Sequence, residues 1–286
     1  MKFVNAMQMK AYIKKEANKL SVTSAALLQN YMLERLLERI SISKYSKNFV
    51  LKGGMLISAI IGLDSRSTMD MDTTLRNLPL SEELLLKAFE EIFLVYIDDG
   101  VAFKFTKIEP IREDDVYGGF RVSLIASYDT ILVPLKIDIT TGDAITPREI
   151  DFAYQLMFQE NEISILAYPI ETILAEKYET IIRRSLLNTR IRDYYDLHIL
   201  YRLKSAQINI QTLRQAITMT ALKRKSLDLL LPYEQVIQAI SNDPQLERLW
   251  KVYQKEYAYA AEISFADLID TLREFSSVIG ILSLPE

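Results

Sequence analysis

The sequence predicts an α+β protein with a helical N-terminal arm, a mixed α/β core and a mainly helical C-terminal domain. Three observations predict it. Apolar residues recur at helical spacing before residue 49. Between residues 49 and 140, apolar and polar residues alternate in several short runs. From about residue 148 the β signal fades and helical stripes take over. The boundary is expected at 147/148, giving N-terminal helices and core over 1–147 and a helical domain over 148–286.

Residues 5 to 40 read as helical, with Ser24 placed to cap the run whose apolar positions are Leu28, Tyr31, Met32, Leu36 and Ile40. Phe49-Val50-Leu51 is a short β-type run ending at Gly53-Gly54, and a helix-compatible apolar stretch follows. Alternation from Thr68 to Leu75 marks a strand, and a helix is expected to start at Ser81. Three further β-type runs begin near Ala102, Gly119 and Thr130. The last two flank Tyr128-Asp129 as a hairpin, and Pro134 inside the last run calls for an edge or a bulge. Beyond residue 148 only helices are read, with turns near Pro169, Pro232 and Pro244.

Composition narrows the chemistry. The chain has 286 residues, 49% hydrophobic, ample for a packed core. It has no cysteine, which removes disulfides and thiolate sites, and its one histidine leaves no His-based metal site or Ser-His-Asp triad to expect. His198 reads as a packed helix residue. The longest apolar uncharged stretch, Gly53 to Leu63, falls well short of the roughly 20 residues that cross a bilayer. The N-terminal segment lacks the apolar core of a signal peptide, so a soluble, cytoplasmic protein is expected, and a monomer because no heptad seam is evident. A net charge of −4 excludes a generally basic surface but not a local basic patch. The candidates are Arg183, Arg184, Arg190 and Arg192, and Lys223-Arg224-Lys225.

The segment Asp70-Met71-Asp72 carries the main chemical signal. On a strand, residues i and i+2 share a face, so Asp70 and Asp72 point one way while Met69 and Met71 are placed to enter the core. Two adjacent carboxylates repel unless a cation sits between them, and a divalent ion with oxygen ligands suits that place. Asp138 lies on a second alternating run, with Lys136 and Thr140 on its face and Leu135, Ile137 and Ile139 on the other. Lys52-Gly53-Gly54 sits between strand and helix, where backbone N–H groups and a helix N-terminus favour phosphate. Arg66 and Ser67, just before the paired acids, are candidate phosphate donors.

Glycine pair, helix, D-x-D strand and a later single Asp on a strand, in that order, resemble the polymerase-β-like nucleotidyltransferase superfamily at Gly53, Gly54, Asp70, Asp72 and Asp138. One departure is that the superfamily's Gly-Ser turn is here Gly-Gly, leaving Ser58 or Ser67 to replace the missing hydroxyl. Two helical segments narrow the match. In the first, Lys177 lies in an apolar stripe with Ile173, Leu174 and Tyr178, either snorkelling or aimed at a phosphate. In the second, Asp193 lies on an apolar side with Leu197 and wants a partner, for which Lys177 is a candidate. Arg192 and Asp196 are spaced to pair at i, i+4.

With those segments, residues 49 to 201 resemble the AbiEii toxin family of bacterial toxin–antitoxin and abortive-infection (phage defence) systems. The resemblance implies a nucleotidyltransferase fold with acidic metal positions at Asp70, Asp72 and Asp138. It implies catalytic roles for those three with Lys177 and Asp193, and a nucleotide-binding set of Lys52, Gly53, Gly54, Arg66, Ser67, Lys177, Arg192 and Asp196. Arg190 belongs to the same matched segment. It further implies two Mg²⁺ ions, an NTP substrate (GTP is one donor preference) lying between the two domains, an RNA acceptor of the tRNA class, and an antitoxin encoded nearby. The alternatives are transfer to a protein or small molecule, and a non-catalytic nucleotide- or partner-binding module.

Overall fold

The helical arm is two helices. α1 (Ala6–Lys19) and α2 (Ser24–Ile42) are separated by a turn where Ser21 takes a φ of 54°. The cap of α2 is Thr23, whose hydroxyl accepts from the Ala26 N–H at 3.2 Å, and Ser24 is the first helical residue instead. The computed structural model describes residues 2–111 and 118–280.

Among these residues seven strands form one mixed sheet, in the order β3-β4-β5-β2-β1-β7-β6. They are β1 (Phe49–Lys52), β2 (Met71–Leu75), β3 (Ala102–Ile111), β4 (Gly119–Tyr128), β5 (Ile131–Thr141), β6 (Ile150–Gln155) and β7 (Glu162–Ala167). β1 runs antiparallel to β2, and β2 parallel to β5. α3 (Gly53–Ile61) follows β1 directly, and α4 (Glu82–Phe93) is capped by Ser81, as its sequence predicts. The β4–β5 hairpin turns at Asp129 and Thr130. Pro134 sits where β5 has run past β2, whose pairing covers only Ile137–Thr141, so it disrupts no ladder on that side.

The expectation that the chain turns wholly helical after residue 148 is corrected by β6 and β7. This hairpin adds to β1 through a parallel pairing of Val50 and Leu51 with Leu166 and Ala167. Its strands alternate only over short runs, Ile150 to Gln155 and Glu162 to Ile165, and β6 is an edge strand with most residues exposed. Two compact units result. One is residues 1–142 with 149–167, and the other is residues 143–148 with 168–286. The segment 143–148 joins the second unit through Thr172, whose hydroxyl bonds the backbone of Thr146 at 3.0 and 3.1 Å, and through the Tyr168 hydroxyl on Asp143 at 2.8 Å.

The first unit buries α2 almost completely, with Leu33 and Leu36 sharing its interior with Glu34, Arg35 and Arg39. Arg39 forks onto Asp99 at 2.8 and 2.9 Å. Glu34 accepts from Arg35 at 2.5 Å and from the Met157 N–H at 2.7 Å, yet burial outweighs these partners and pushes its carboxyl up to about 7. Between its ordinary 4.5 and that value, the folded chain keeps a proton that the unfolded chain has released. Stability from this group is therefore expected to fall as pH rises through that window. Urea midpoints measured across it should show that slope flattened in Glu34→Gln; an unaltered slope would exclude Glu34 as its source.

The second unit is built of α5 (Ile170–Arg184), α6 (Ile191–Lys204), α7 (Ile210–Lys223), α8 (Leu227–Leu230), α9 (Tyr233–Ser241), α10 (Pro244–Glu256) and α11 (Phe265–Ile279). Pro169 and Pro232 precede helices and Pro244 opens one, where a proline's missing N–H costs no helical bond. His198 is packed, its Nδ1 sharing a 2.8 Å hydrogen bond with the Thr271 hydroxyl. Among the described residues no helix is long and apolar enough to cross a membrane.

Candidate active site

β2 and β5 lie side by side in a register that opposes Asp72 to Asp138. The same row continues outward on both sides, with Lys52 of β1 opposite Asp72 and Arg121 of β4 opposite Asp138. Directly opposed residues share a sheet face, so four charges line up as Lys52, Asp72, Asp138, Arg121. Met71, Ile137 and Ile139 point the other way and are fully buried, which fixes this register against a one-residue slip. Behind the acids, Thr74 and Thr140 share a 2.9 Å hydroxyl contact, and the Lys52 ammonium donates to Thr140 at 2.8 Å.

Asp70 stands just before β2, which begins at Met71, so the strand is shorter than the alternation from Thr68 suggested. Of the two methionines expected in the core, Met71 is buried and Met69 is 44% exposed. Met69 lies in the segment leading into the strand, where the two-residue alternation does not apply. Side chains of α2 hold that segment in place. The Asn30 amide donates to the carbonyls of Thr68 and Ala26 at 2.6 and 2.9 Å, and the Gln29 amide donates to Met69 at 2.6 Å.

Gly53 turns the chain from β1 into α3 at a φ of 64°, and a Cβ there would lie 2.0 Å from the Asp72 Oδ2. The carboxylate packs directly over the glycine. A Cβ on Gly54 would meet the Thr68 hydroxyl at 2.6 Å and an Arg66 nitrogen at 3.0 Å. The second glycine is thus required by space, and the Thr68 hydroxyl stands where a serine side chain at position 54 would begin. Ser58 is buried and its hydroxyl donates to the Gly54 and Arg66 carbonyls, so it is not the replacement donor. Arg66 is also buried, donating to the Ser67 carbonyl, while Ser67 is half-buried.

Arg121 was not singled out from sequence. Its Nε donates to Asp138 Oδ1 at 2.7 Å and its Nη2 to Oδ2 at 2.6 Å, a bidentate pair. That hydrogen bonding, with the charges of Asp138, Asp70 and Asp72, holds the guanidinium above its already high pKa against a desolvation cost. The signal for this pair was present. A two-residue turn at Asp129 and Thr130 counts back along both strands to Arg121 opposite Asp138. Asn30 also left a trace, as a poor helix former inside an apolar stripe.

The acids supply hard oxygen donors, the chemistry that Mg²⁺ takes. Asp72 and Asp138 are adjacent in register, which fits such an ion. Side chains as they stand do not converge fully: among the described residues no group of three or more acids or histidines is gathered as a metal site. Asp138 has both oxygens on Arg121, and Asp72 is turned over Gly53.

The remaining candidates lie in the helical unit. The Lys177 ammonium is 2.6 Å from Asp193 and 3.0 Å from Asp196, so the partner expected for Asp193 is found and Asp196 joins it. The proposed Arg192–Asp196 pairing gives way to this arrangement. Asp196 is fully buried, while Arg192 donates to the Tyr257 hydroxyl at 2.8 Å with its guanidinium 5.4 Å from that ring. A cavity of about 430 Å³ opens here, lined by Arg190, Arg192, Asp193, Leu249, Tyr253 and Tyr257. Of the two basic clusters, Arg183 and Arg224 turn inward onto buried Glu179, at 2.7 and 2.6 Å. Tyrosines mostly pack, as in the Tyr195, Tyr253, Tyr257 and Tyr259 cluster.

A mixed sheet that sets a glycine corner against one of two in-register aspartates fits a nucleotidyltransferase, the class that the family match gives. The family model described as "Nucleotidyl transferase AbiEii toxin, Type IV TA system" matches residues 35–271, and the chain belongs to that family. Its fold is similar to that of JHP933 from Helicobacter pylori, at 17% identity and a TM-score of 0.50, over 90% of this chain and 94% of that one. A second Helicobacter pylori structure, described as a candidate nucleotidyltransferase, aligns at 18% identity and a TM-score of 0.48 over 90% and 97% of the two chains. No curated protein matches the sequence. As a member of a type IV toxin–antitoxin family, this nucleotidyltransferase implies an antitoxin partner.

Proposed function

We propose that this protein is a toxin that transfers nucleotides from an NTP to an RNA acceptor, with the 3′ end of tRNA as the acceptor class and Mg²⁺ as the metal. One observation carries the reading: Asp72 and Asp138 sit opposite each other in register on neighbouring strands, with Gly53 against Asp72 and Lys52 in the same row. Asp70, Asp72 and Asp138 would hold two divalent ions. When bound, these neutralise the triphosphate and lower the pKa of the attacking hydroxyl.

The chain's own groups do the rest. Backbone N–H groups at Gly53 and Gly54, at the start of α3, receive the triphosphate, and Lys52 and Ser67 flank it. Arg66 shapes the corner from behind Gly54. Asp138 takes the proton of the acceptor hydroxyl as its oxygen attacks the α-phosphorus in line. The new P–O bond forms as the bond to pyrophosphate breaks. In the helical unit Lys177, oriented by Asp193 and Asp196, is the candidate nucleotide contact, and Arg192 offers a guanidinium for phosphate. GTP is the first donor to try, and phage defence is the biological setting of the proposal.

Incubation with each labelled NTP, total RNA and Mg²⁺ is expected to label tRNA. Label should fall about a hundred- to a thousandfold in Asp70→Ala, the scale of charge stabilisation lost at such a site. Label entering protein or a small molecule instead would replace the acceptor. Unchanged labelling by a folded Asp70→Ala protein would remove the acids from the chemistry.

A further inference from the structure

We infer that Arg121 is a positioning residue that closes the cation site by occupying Asp138, and that loading the site requires its guanidinium to pass from that carboxylate to the incoming triphosphate. This deepens the function proposed above and rests on the reading of Asp70, Asp72 and Asp138 as the cation-binding acids.

The geometry leaves little choice about exclusivity. Arg121 uses its Nε and Nη2 on the two oxygens of Asp138 at 2.7 and 2.6 Å. A divalent ion needs those oxygens directly and brings a like charge, so guanidinium and cation compete for one ligand. Among the described residues Arg121 hydrogen-bonds only to that pair of oxygens, and its side chain is 44% exposed, so it has solvent to swing into. The backbone stays fixed. Arg121 sits opposite Asp138 in the β4–β5 ladder, next to the fully buried pair Val122 and Ile137, and remains in the charged row after release.

A planar guanidinium fork matches phosphate as well as carboxylate. The released group therefore finds its next acceptor in the triphosphate that arrives with the cations. Lys52 cannot serve in the same way, because it stands at the other end of the row with its ammonium on Thr140. Both oxygens of Asp138 are thus engaged by the arginine, and a divalent ion would have to displace it to use them.

The test is Mn²⁺ binding, read from the free-ion electron spin resonance signal without nucleotide, in wild type, Arg121→Gln, Arg121→Lys and Asp72→Asn. Arg121→Gln is expected to bind Mn²⁺ roughly five- to tenfold more tightly than wild type, the effect of removing one neighbouring like charge. Arg121→Lys keeps the charge without the fork and should fall between. In transfer assays Arg121→Gln should raise KM for the NTP more than it lowers kcat, since the lost contact is with bound phosphate. Equal or weaker Mn²⁺ binding by both variants, with wild type still exceeding Asp72→Asn, would overturn the switch and leave the cation site standing. No binding above Asp72→Asn in any protein would overturn the cation site itself, and this inference with it. Thermal unfolding of each variant shows that the sheet is intact, and Arg121→Lys serves if Arg121→Gln does not fold.

Discussion

Gly53→Ala is expected to abolish nucleotide transfer while leaving most of the chain folded. Two costs coincide at this residue. Its φ of 64° lies in the left-handed region, where an L side chain costs about 1–2 kcal/mol. The added methyl would also lie 2.0 Å from the Asp72 Oδ2, 2.7 Å from its Cγ and 2.8 Å from its Cβ. A clash reaching as far back as the Cβ is not relieved by rotating the carboxylate, so either the corner or β2 must shift. Misplacement of a reacting group by about 1 Å costs around a hundredfold in rate. Both consequences are measurable. Transfer of labelled nucleotide should fall by at least about that factor, and the urea midpoint should drop by more than the strain alone implies. Full activity in Gly53→Ala would mean that Asp72 is not where the chemistry happens.

The largest effect on stability is expected at Glu179→Ala. Glu179 is fully buried in the helical unit, and its two oxygens accept from three groups: Arg183 and Ser226 at 2.7 Å each, and Arg224 at 2.6 Å. Arg224 also reaches Glu176 and Thr180, both at 3.2 Å. Removing the acid strands two mostly buried guanidinium groups without their shared counter-ion. Breaking a buried pair from one side costs about 3–5 kcal/mol, far more than the pair contributes over an apolar replacement. The loss should appear as a lowered unfolding midpoint. A double substitution, Glu179→Leu with Arg224→Met, is expected to recover much of it. A Glu179→Ala protein as stable as wild type would show that water reaches these arginines. The basic cluster around Lys223-Arg224-Lys225, a candidate patch in the sequence, is thus partly an internal strut, because one of its cations turns inward to satisfy an acid.

Several features of the site were legible because they depend on neighbours in sequence. The alternation from Leu135 to Thr140 put Asp138 on a polar face, and the structure keeps it there. The hairpin at Tyr128-Asp129, the Ser81 cap and the glycine corner rest equally on local rules. Reading failed where a residue's environment is set by a distant strand or helix. β6 and β7 alternate only over six and four residues, and their place in the sheet follows from the pairing of β7 with β1, about a hundred residues away in the chain. Asp196 carries the same charge whether it pairs with Arg192 on a helix surface or with Lys177 in the interior. Only the packing of α5 against α6 decides for the interior.

By itself, the sequence determined the class of chemistry. It placed two acids one residue apart at the head of a strand, a third on a strand with one apolar face, and a glycine pair between strand and helix, with no cysteine and a single histidine to offer another route. Tertiary structure alone decided what those acids meet. The register of β1, β2, β4 and β5 sets Lys52, Asp72, Asp138 and Arg121 in one row, and it gives Asp138 to an arginine. The reason is physical. A carboxylate's chemistry is fixed by its covalent structure, but its partner is fixed by which backbone lies about 5 Å to either side, and strand order sets that.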